Sequence, residues 1–219
     1  MQNEILRYMG HSGEASIQLE KMISSCLEKL AAVSEPRHVM RQFPCFVSEN
    51  NVTIDTFNIK SKSLTACLRD CTYVYLLAAT LGADVDRLIS QRSMADSAEA
   101  LCLQACASAQ IENYCNSVEQ ELSDNVYQDG LYLRSRYSPG YGDFNITCQT
   151  NVLSILNAHK LIGVTETKSH ILTPLKSITA VIGVSSQVFH AEETVCMQEH
   201  KCKICDKMDC NFREKGFSK

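Results

Sequence analysis

Residues 73–79 read Tyr-Val-Tyr-Leu-Leu-Ala-Ala, a continuous apolar run with neither helical period nor alternation. A strand of that composition belongs at the centre of a sheet, because both of its faces must be shielded from water. Everything else has to pair with this strand or cover it. Strands are expected at 39–46, 52–59, 131–137 and 178–184. Over 16–33, Leu19, Met22, Ile23, Cys26, Leu27 and Leu30 recur at the spacing of a half-buried helix, which must end before Pro36. Ser63 can cap a short helix reaching Leu68, and another follows Gly82 over 84–90. Asp96 with Glu99 three residues later signals the start of the longest helix, rich in Ala, Ser and Cys and ending near Asn125. One more helix is expected over 152–161. Helices grouped rather than alternating strictly with strands define an α+β fold, not a doubly wound sheet.

A chain of 219 residues can bury one sizeable core. The apolar pattern stops near His190, which divides a domain at 1–189 from a polar, Cys-rich tail at 190–219. A net charge of −4, without a Lys/Arg stripe, argues against nucleic acid as a partner. No apolar run is long enough to span a bilayer. The first residues lack the charged and apolar regions of an export signal, so the expected location is cytoplasmic, with the twelve cysteines reduced.

The residues with most chemical promise lie at 136–143, Arg-Tyr-Ser-Pro-Gly-Tyr-Gly-Asp. Arg136 offers a planar fork that holds a carboxylate by two parallel hydrogen bonds. Pro139-Gly140 is turn chemistry, with Gly140 allowing a ligand close to the backbone, and Tyr141 adds an aromatic face and a hydroxyl. Such a loop suits a zwitterion bearing a flat ring, such as an amino-acid nucleoside. An ordinary surface turn is the competing reading, and for Asp143 a cap or turn role competes with ligand binding.

Arg136-x-x-x-Gly140-Tyr141 resembles the S-adenosylmethionine-binding signature of the activation domain of cobalamin-dependent methionine synthase. The resemblance continues through Gln149, then Ile162-Gly163-Val164-Thr165-Glu166, then Pro174-x-x-Ser177, with Ala180 where the family usually has Gly. It covers roughly Arg136 to Val184; upstream, the chain is more similar to smaller free-standing relatives. The resemblance implies a twisted, antiparallel-rich sheet. It implies that Arg136 binds the methionyl carboxylate, that Gly140 brings the backbone close and that Tyr141 lines the pocket. Glu112 falls where the family places a helical Glu near the ligand, as partner for the α-ammonium. The activity implied is support of reductive remethylation: one electron and one methyl group restore methylcobalamin, and the protein supplies positioning rather than a nucleophile. The cobalamin would come from a partner, a corrinoid-binding protein or methionine synthase modules, because Asp-x-His-x-x-Gly is absent. The electron would come from a flavodoxin-like or ferredoxin-like donor. Val181, Ile182 and Gly183 stand where aromatic residues are expected, which removes an adenine contact.

In the tail, Cys202-x-x-Cys205 puts two thiolates on one turn, and Cys196 and Cys210 complete four ligands. The spacing allows an iron–sulfur cluster or a structural zinc, with His200 as a substitute ligand. Among the other eight cysteines, Cys67 with Cys71 and Cys102 with Cys106 recur at i, i+4 on expected helices and read as small core residues, whereas Cys45 and Cys148 carry no reading. Two rival functions follow: a cluster-bearing redox accessory of a corrinoid enzyme, and a docking subunit of a split methionine synthase that binds no ligand.

Overall fold

In a computed structural model, which describes residues 1–187 apart from 12 and 14, the run at 73–79 lies inside a six-stranded antiparallel sheet. The chain opens with a helix that periodicity did not reveal, α1 (Gln2–Tyr8), whose one fully buried side chain is Ile5. Helix α2 (Ile17–Val33) begins where Ser16 accepts a hydrogen bond from the Leu19 amide. Strand β1 (Arg37–Val47) follows. The single strand expected over 52–59 is instead a hairpin, β2 (Asn51–Ile54) and β3 (Phe57–Lys60), with Ile54 opposite Phe57. Asp55 takes a left-handed φ of 51° in the two-residue turn. Buried positions accordingly slip from even (Val52, Ile54) to odd (Ile59), as a two-residue turn requires.

Helix α3 (Lys62–Cys67) is capped by Ser61 rather than Ser63; Ser61 Oγ accepts from the Leu64 amide at 3.0 Å. Strand β4 (Tyr73–Thr80) then lies between β1 and the last strand, as its composition demands. Helix α4 (Ala83–Ala95) precedes the 31-residue α5 (Ser97–Tyr127), where Asp96 accepts from the Ala98 and Glu99 amides. Beyond β5 (Tyr132–Leu133), the helix expected over 152–161 is two pieces, α6 (Gln149–Leu156) and α7 (Ala158–Ile162). The break is Asn157, in the left-handed region at φ 54°. A small hairpin, β6 (Thr165–Glu166) and β7 (Leu172–Thr173), leads into β8 (Ser177–Ser185). The order across the sheet is β3-β2-β1-β4-β8-β5.

Two cores result, one on each face. Val74, Leu76 and Ala78 of β4 pack with α3, α6 and α7, while Leu77 and Ala79 pack with α1, α2, α4 and α5. Ala105, Ala107 and Ala109, all buried, keep the inward side of α5 slim. Cys26, Cys45, Cys71, Cys102, Cys106 and Cys115 are buried free thiols, in line with the core reading of Cys71, Cys102 and Cys106, and Cys148 is partly buried. Burial pushes the Cys26, Cys45 and Cys115 thiols up to about 12, so they stay protonated at neutral pH. Cys71 lies past the end of α3, not on it.

Gln149 joins three elements from one buried position. Its Nε2 donates to the His170 carbonyl at 2.7 Å, and its Oε1 accepts from Thr179 Oγ1 at 3.3 Å. Glu166 accepts from Thr150 Oγ1 and pairs with His170 Nδ1 at 3.0 Å. Ser177 Oγ donates within reach of the Pro174 carbonyl at 2.7 Å and Thr80 Oγ1 at 2.9 Å, closing the entry to β8. These residues tie the small hairpin to the sheet.

Candidate functional site

The segment 131–137, expected as one strand, pairs regularly with β8 only through Tyr132 and Leu133. The Arg134 amide still bonds the Gly183 carbonyl at 2.8 Å, but the next bridge joins Tyr137 to Val181. Three steps along this edge therefore match two steps along β8, so one residue is extra, as in a β-bulge. The bulge explains a placement that strand alternation forbids. Arg134 and Arg136, two residues apart, leave by opposite faces of the sheet. Arg134 runs beside Gly183 toward α3, where its Nη2 donates to the Arg69 carbonyl at 3.2 Å. Arg136 turns the other way, onto α5.

There Arg136 is buried, with 3% of its side chain exposed. Its Nη2 pairs with Glu112 Oε2 at 2.6 Å; its Nη1 contacts Asn116 Oδ1 at 2.8 Å and the Glu119 carboxylate. Glu112, Asn116 and Glu119 recur at i, i+4 and i+7, one stripe of α5. The structure thus brings Arg136 and Glu112 together, and adds Asn116 and Glu119, which the sequence reading missed. That same spacing was the available signal. Burial pushes the Glu119 carboxyl up, with Arg136 opposing the shift. On Arg136, burial lowers the pKa but the two carboxylates outweigh it, so the guanidinium stays charged. Removing Arg136 would leave two carboxylates facing each other in a partly dry site, so Arg136→Ala is expected to cost stability as well as binding.

The loop after Arg136 is folded on itself. The Gly140 amide donates to the Phe144 carbonyl at 2.7 Å, and the Phe144 amide to the Tyr141 carbonyl at 2.9 Å. Gly140 has φ 96°, and a Cβ there would press on Ile146 at 3.1 Å. Gly142 (φ 53°) leaves no room either: a Cβ would come within 2.6 Å of both Ser63 Oγ and Tyr137 Oη. Tyr141 is 47% exposed, its ring 6.3 Å from that of Tyr137. Burial raises the Tyr8 phenol, and the Glu112 carboxylate raises it further, with a smaller contribution from Tyr141. Helix α1 packs against α5, the helix that carries the partners of Arg136. Tyr8, like Asn116 and Glu119, is a residue that sequence reasoning missed.

Strand β8 offers no ring. Val181 belongs to one core and Ile182 to the other, and a Cβ on Gly183 would meet Cys71 Sγ and Leu68 Cδ2 at 2.7 Å. The Tyr137 ring packs against the core on the α3 side and stacks on Phe144, away from the Arg136 cluster on α5.

Asp143 is a cap. Its carboxylate accepts from Ser61 Oγ at 2.6 Å, the Lys62 amide at 2.8 Å and the Ser63 amide at 3.0 Å, binding the signature loop to the start of α3. The Ser61 bond first, then those amides, hold its carboxyl well below the usual range. A depressed carboxyl stabilises above its unfolded value, and that contribution is lost as pH falls toward the folded one. Asp143→Ala should therefore cost about 1 kcal/mol at neutral pH. Its urea midpoint should also converge with wild type under strong acid; curves that stay parallel would contradict the role.

Among the described residues, no group of three or more His, Cys, Asp or Glu side chains is disposed to hold a metal. Cys196, Cys202, Cys205 and Cys210, with His200, lie outside the described residues, as does the boundary expected near residue 190. Among the described residues no helix is long and apolar enough to cross a membrane.

The architecture is similar to that of a solved structure, the MetH reactivation domain bound to AdoHcy. The TM-score is 0.62 at 16% identity, covering 79% of this chain and 66% of that one. The likeness establishes the α+β fold, with its antiparallel six-stranded sheet and grouped helices. This chain spans just under two thirds of that domain's length. No family model and no curated protein matches the sequence.

Proposed function

We propose that the chain is a module that binds S-adenosylmethionine and supports reductive remethylation of a corrinoid carried by a partner related to methionine synthase. The observation that carries this reading is the joining of Arg136 and Glu112 at 2.6 Å, at the start of the segment that runs into the loop bearing Gly140 and Tyr141. The fold likeness to a domain bound to AdoHcy supports the same ligand class. Arg136 faces the methionyl carboxylate, Glu112 the α-ammonium, and Tyr141 the nucleoside. Arg136 is already held by carboxylates, so its fork is oriented before ligand arrives, and a ligand carboxylate must share or replace one of those partners. The sulfonium supplies the methyl group, and the cobalt of the partner's cobalamin receives it. The tail thiolates Cys196, Cys202, Cys205 and Cys210 would hold an iron–sulfur cluster or zinc, and a flavodoxin-like or ferredoxin-like protein would deliver the electron.

The test is calorimetric titration of the anaerobically prepared protein with S-adenosylmethionine, with iron and zinc measured on the same sample. Wild type should bind saturably, and Glu112→Gln, which keeps shape and a neutral contact to Arg136, should bind at least about tenfold more weakly. Equal affinity in the two proteins removes Glu112 from the site. No binding, with iron and a cluster absorbance, favours the redox accessory instead.

A further inference from the structure

A second cation reaches the same side of α5. Gln104, Ser108, Glu112 and Asn116 follow one another at i, i+4 and so form one row along the helix. Arg136 takes the Glu112 and Asn116 end of that row. At the other end, Lys176 Nζ donates to Ser108 Oγ at 2.9 Å and to the Gln104 carbonyl at 3.3 Å. Ser108 and Glu112 are row neighbours, so the contacts of the two cations stand about one helical turn, about 5.4 Å, apart along α5. Strand alternation explains the placement. Ile178 and Ile182 of β8 pack into the core on the α5 side, and Lys176, two residues before Ile178, leaves by the same face.

Lys176, Ser108, Glu112 and Ile178 are all half-buried. An ammonium has three N–H donors, and Lys176 spends two of them on neutral oxygens. Among the described residues no carboxylate pairs with it. Burial lowers its pKa; the Asp86 carboxylate, which accepts from the Leu175 amide at 2.7 Å, opposes that shift from beyond ion-pair distance. The sheet edge beside it is also open. Pairing along the outer side of β8 ends at the Tyr137–Val181 bridge, and no strand of the described residues lines Ser177 to Ala180 there. A partly desolvated donor with one N–H left over, next to an uncovered edge, is suited to a ligand acceptor.

Resting on the ligand class proposed above, we infer that Lys176 is a further binding residue of this site, its remaining N–H donating to a ring nitrogen or ribose oxygen of the nucleoside whose amino-acid end lies on Arg136 and Glu112. In S-adenosylmethionine the ribose is joined to the amino-acid carbon through methylenes, sulfur and C5′, a reach comparable with one helical turn. Tyr141 and Lys176 then have separate tasks, a ring face for one and a hydrogen-bonding edge for the other.

The test pairs lysine footprinting with titration. Wild type is acetylated with acetic anhydride, with and without saturating S-adenosylmethionine, and each lysine is read by mass spectrometry. Ligand should suppress labelling of Lys176 and leave the exposed Lys21 and Lys60 unchanged. By calorimetry, Lys176→Met, which keeps the apolar stem, should bind about tenfold more weakly, and Lys176→Arg, which keeps a charged donor, should recover most of the loss. A Lys176 that labels equally with ligand bound acts only through packing, whatever the variant does, and one that resists reagent in the free protein has no N–H to offer. Either result, or a Lys176→Met protein that binds as tightly as wild type, overturns the role of Lys176 and leaves the ligand class standing. A wild type that does not bind S-adenosylmethionine overturns the ligand class, and this role with it.

Discussion

Replacing Arg136 with alanine should lower the stability of the fold by about 3 kcal/mol, the lower end of the cost of breaking a buried ion pair. The larger part is not the lost attraction. It is the cost of leaving Glu112 and Glu119 near each other, on one stripe of α5, in a site from which most water is excluded. The sign of the pH dependence follows. Burial already raises the Glu119 carboxyl in the presence of Arg136. Without the guanidinium, its folded value rises further above the unfolded one. A carboxyl raised by folding binds its proton more tightly in the native state, so stability is greatest below the unfolded value and is lost as pH rises through the folded one. The deficit of Arg136→Ala should therefore be largest at alkaline pH and shrink on acidification, read as urea midpoints across the pH range. Adding Glu112→Gln and Glu119→Gln to the same protein should recover much of the loss. A deficit under about 1 kcal/mol with no pH dependence would place the guanidinium outside the load of the fold.

The fold was legible where one principle dominated. An apolar run bounded by a turn gave the central strand, and Asp96 marked its helix start, because a cap is local chemistry. It was illegible where tertiary pairing overrode local pattern. Nothing near Arg136 announces the bulge, since the extra residue exists only relative to β8, whose Val181 pairs with Tyr137 from far along the chain. Yet that bulge puts Arg136 on α5. Arg136 and Glu112 could be paired by family resemblance, but Glu119 is absent from that pattern, and its partnership appears only once α5 lies against the sheet edge. The stripe Glu112, Asn116, Glu119 was visible, though a polar helical stripe more often faces water. Tyr8 had even less signal, because α1 is too short for a periodicity to register.

Phe144→Ala should be as damaging as loss of Arg136, at about 3–5 kcal/mol, for a different physical reason. The ring is fully buried and belongs to the core on the α3, α6 and α7 side. It lies parallel to Tyr137 with centroids 6.2 Å apart and 7° between planes. Stacking of that kind accounts for only about 0.5–1.5 kcal/mol, so lost burial and the remaining cavity dominate. The position adds a functional consequence. The Phe144 carbonyl receives the Gly140 amide and its own amide reaches Tyr141, so the ring is the anchor that holds the signature loop closed. Once it is removed, the loop can open without unfolding the sheet, and hydrogen exchange at the Gly140 and Phe144 amides should quicken far more than at β4. Ligand affinity should then fall with Gly140 and Tyr141 unaltered, because ordering the loop becomes part of the cost of binding. Phe144→Leu, which keeps most of the volume, should restore protection and most of the stability. If the Gly140 amide remains as slow as those of β4 in Phe144→Ala, the loop is held by its own turn and by Asp143 at the start of α3, and the ring serves the core alone.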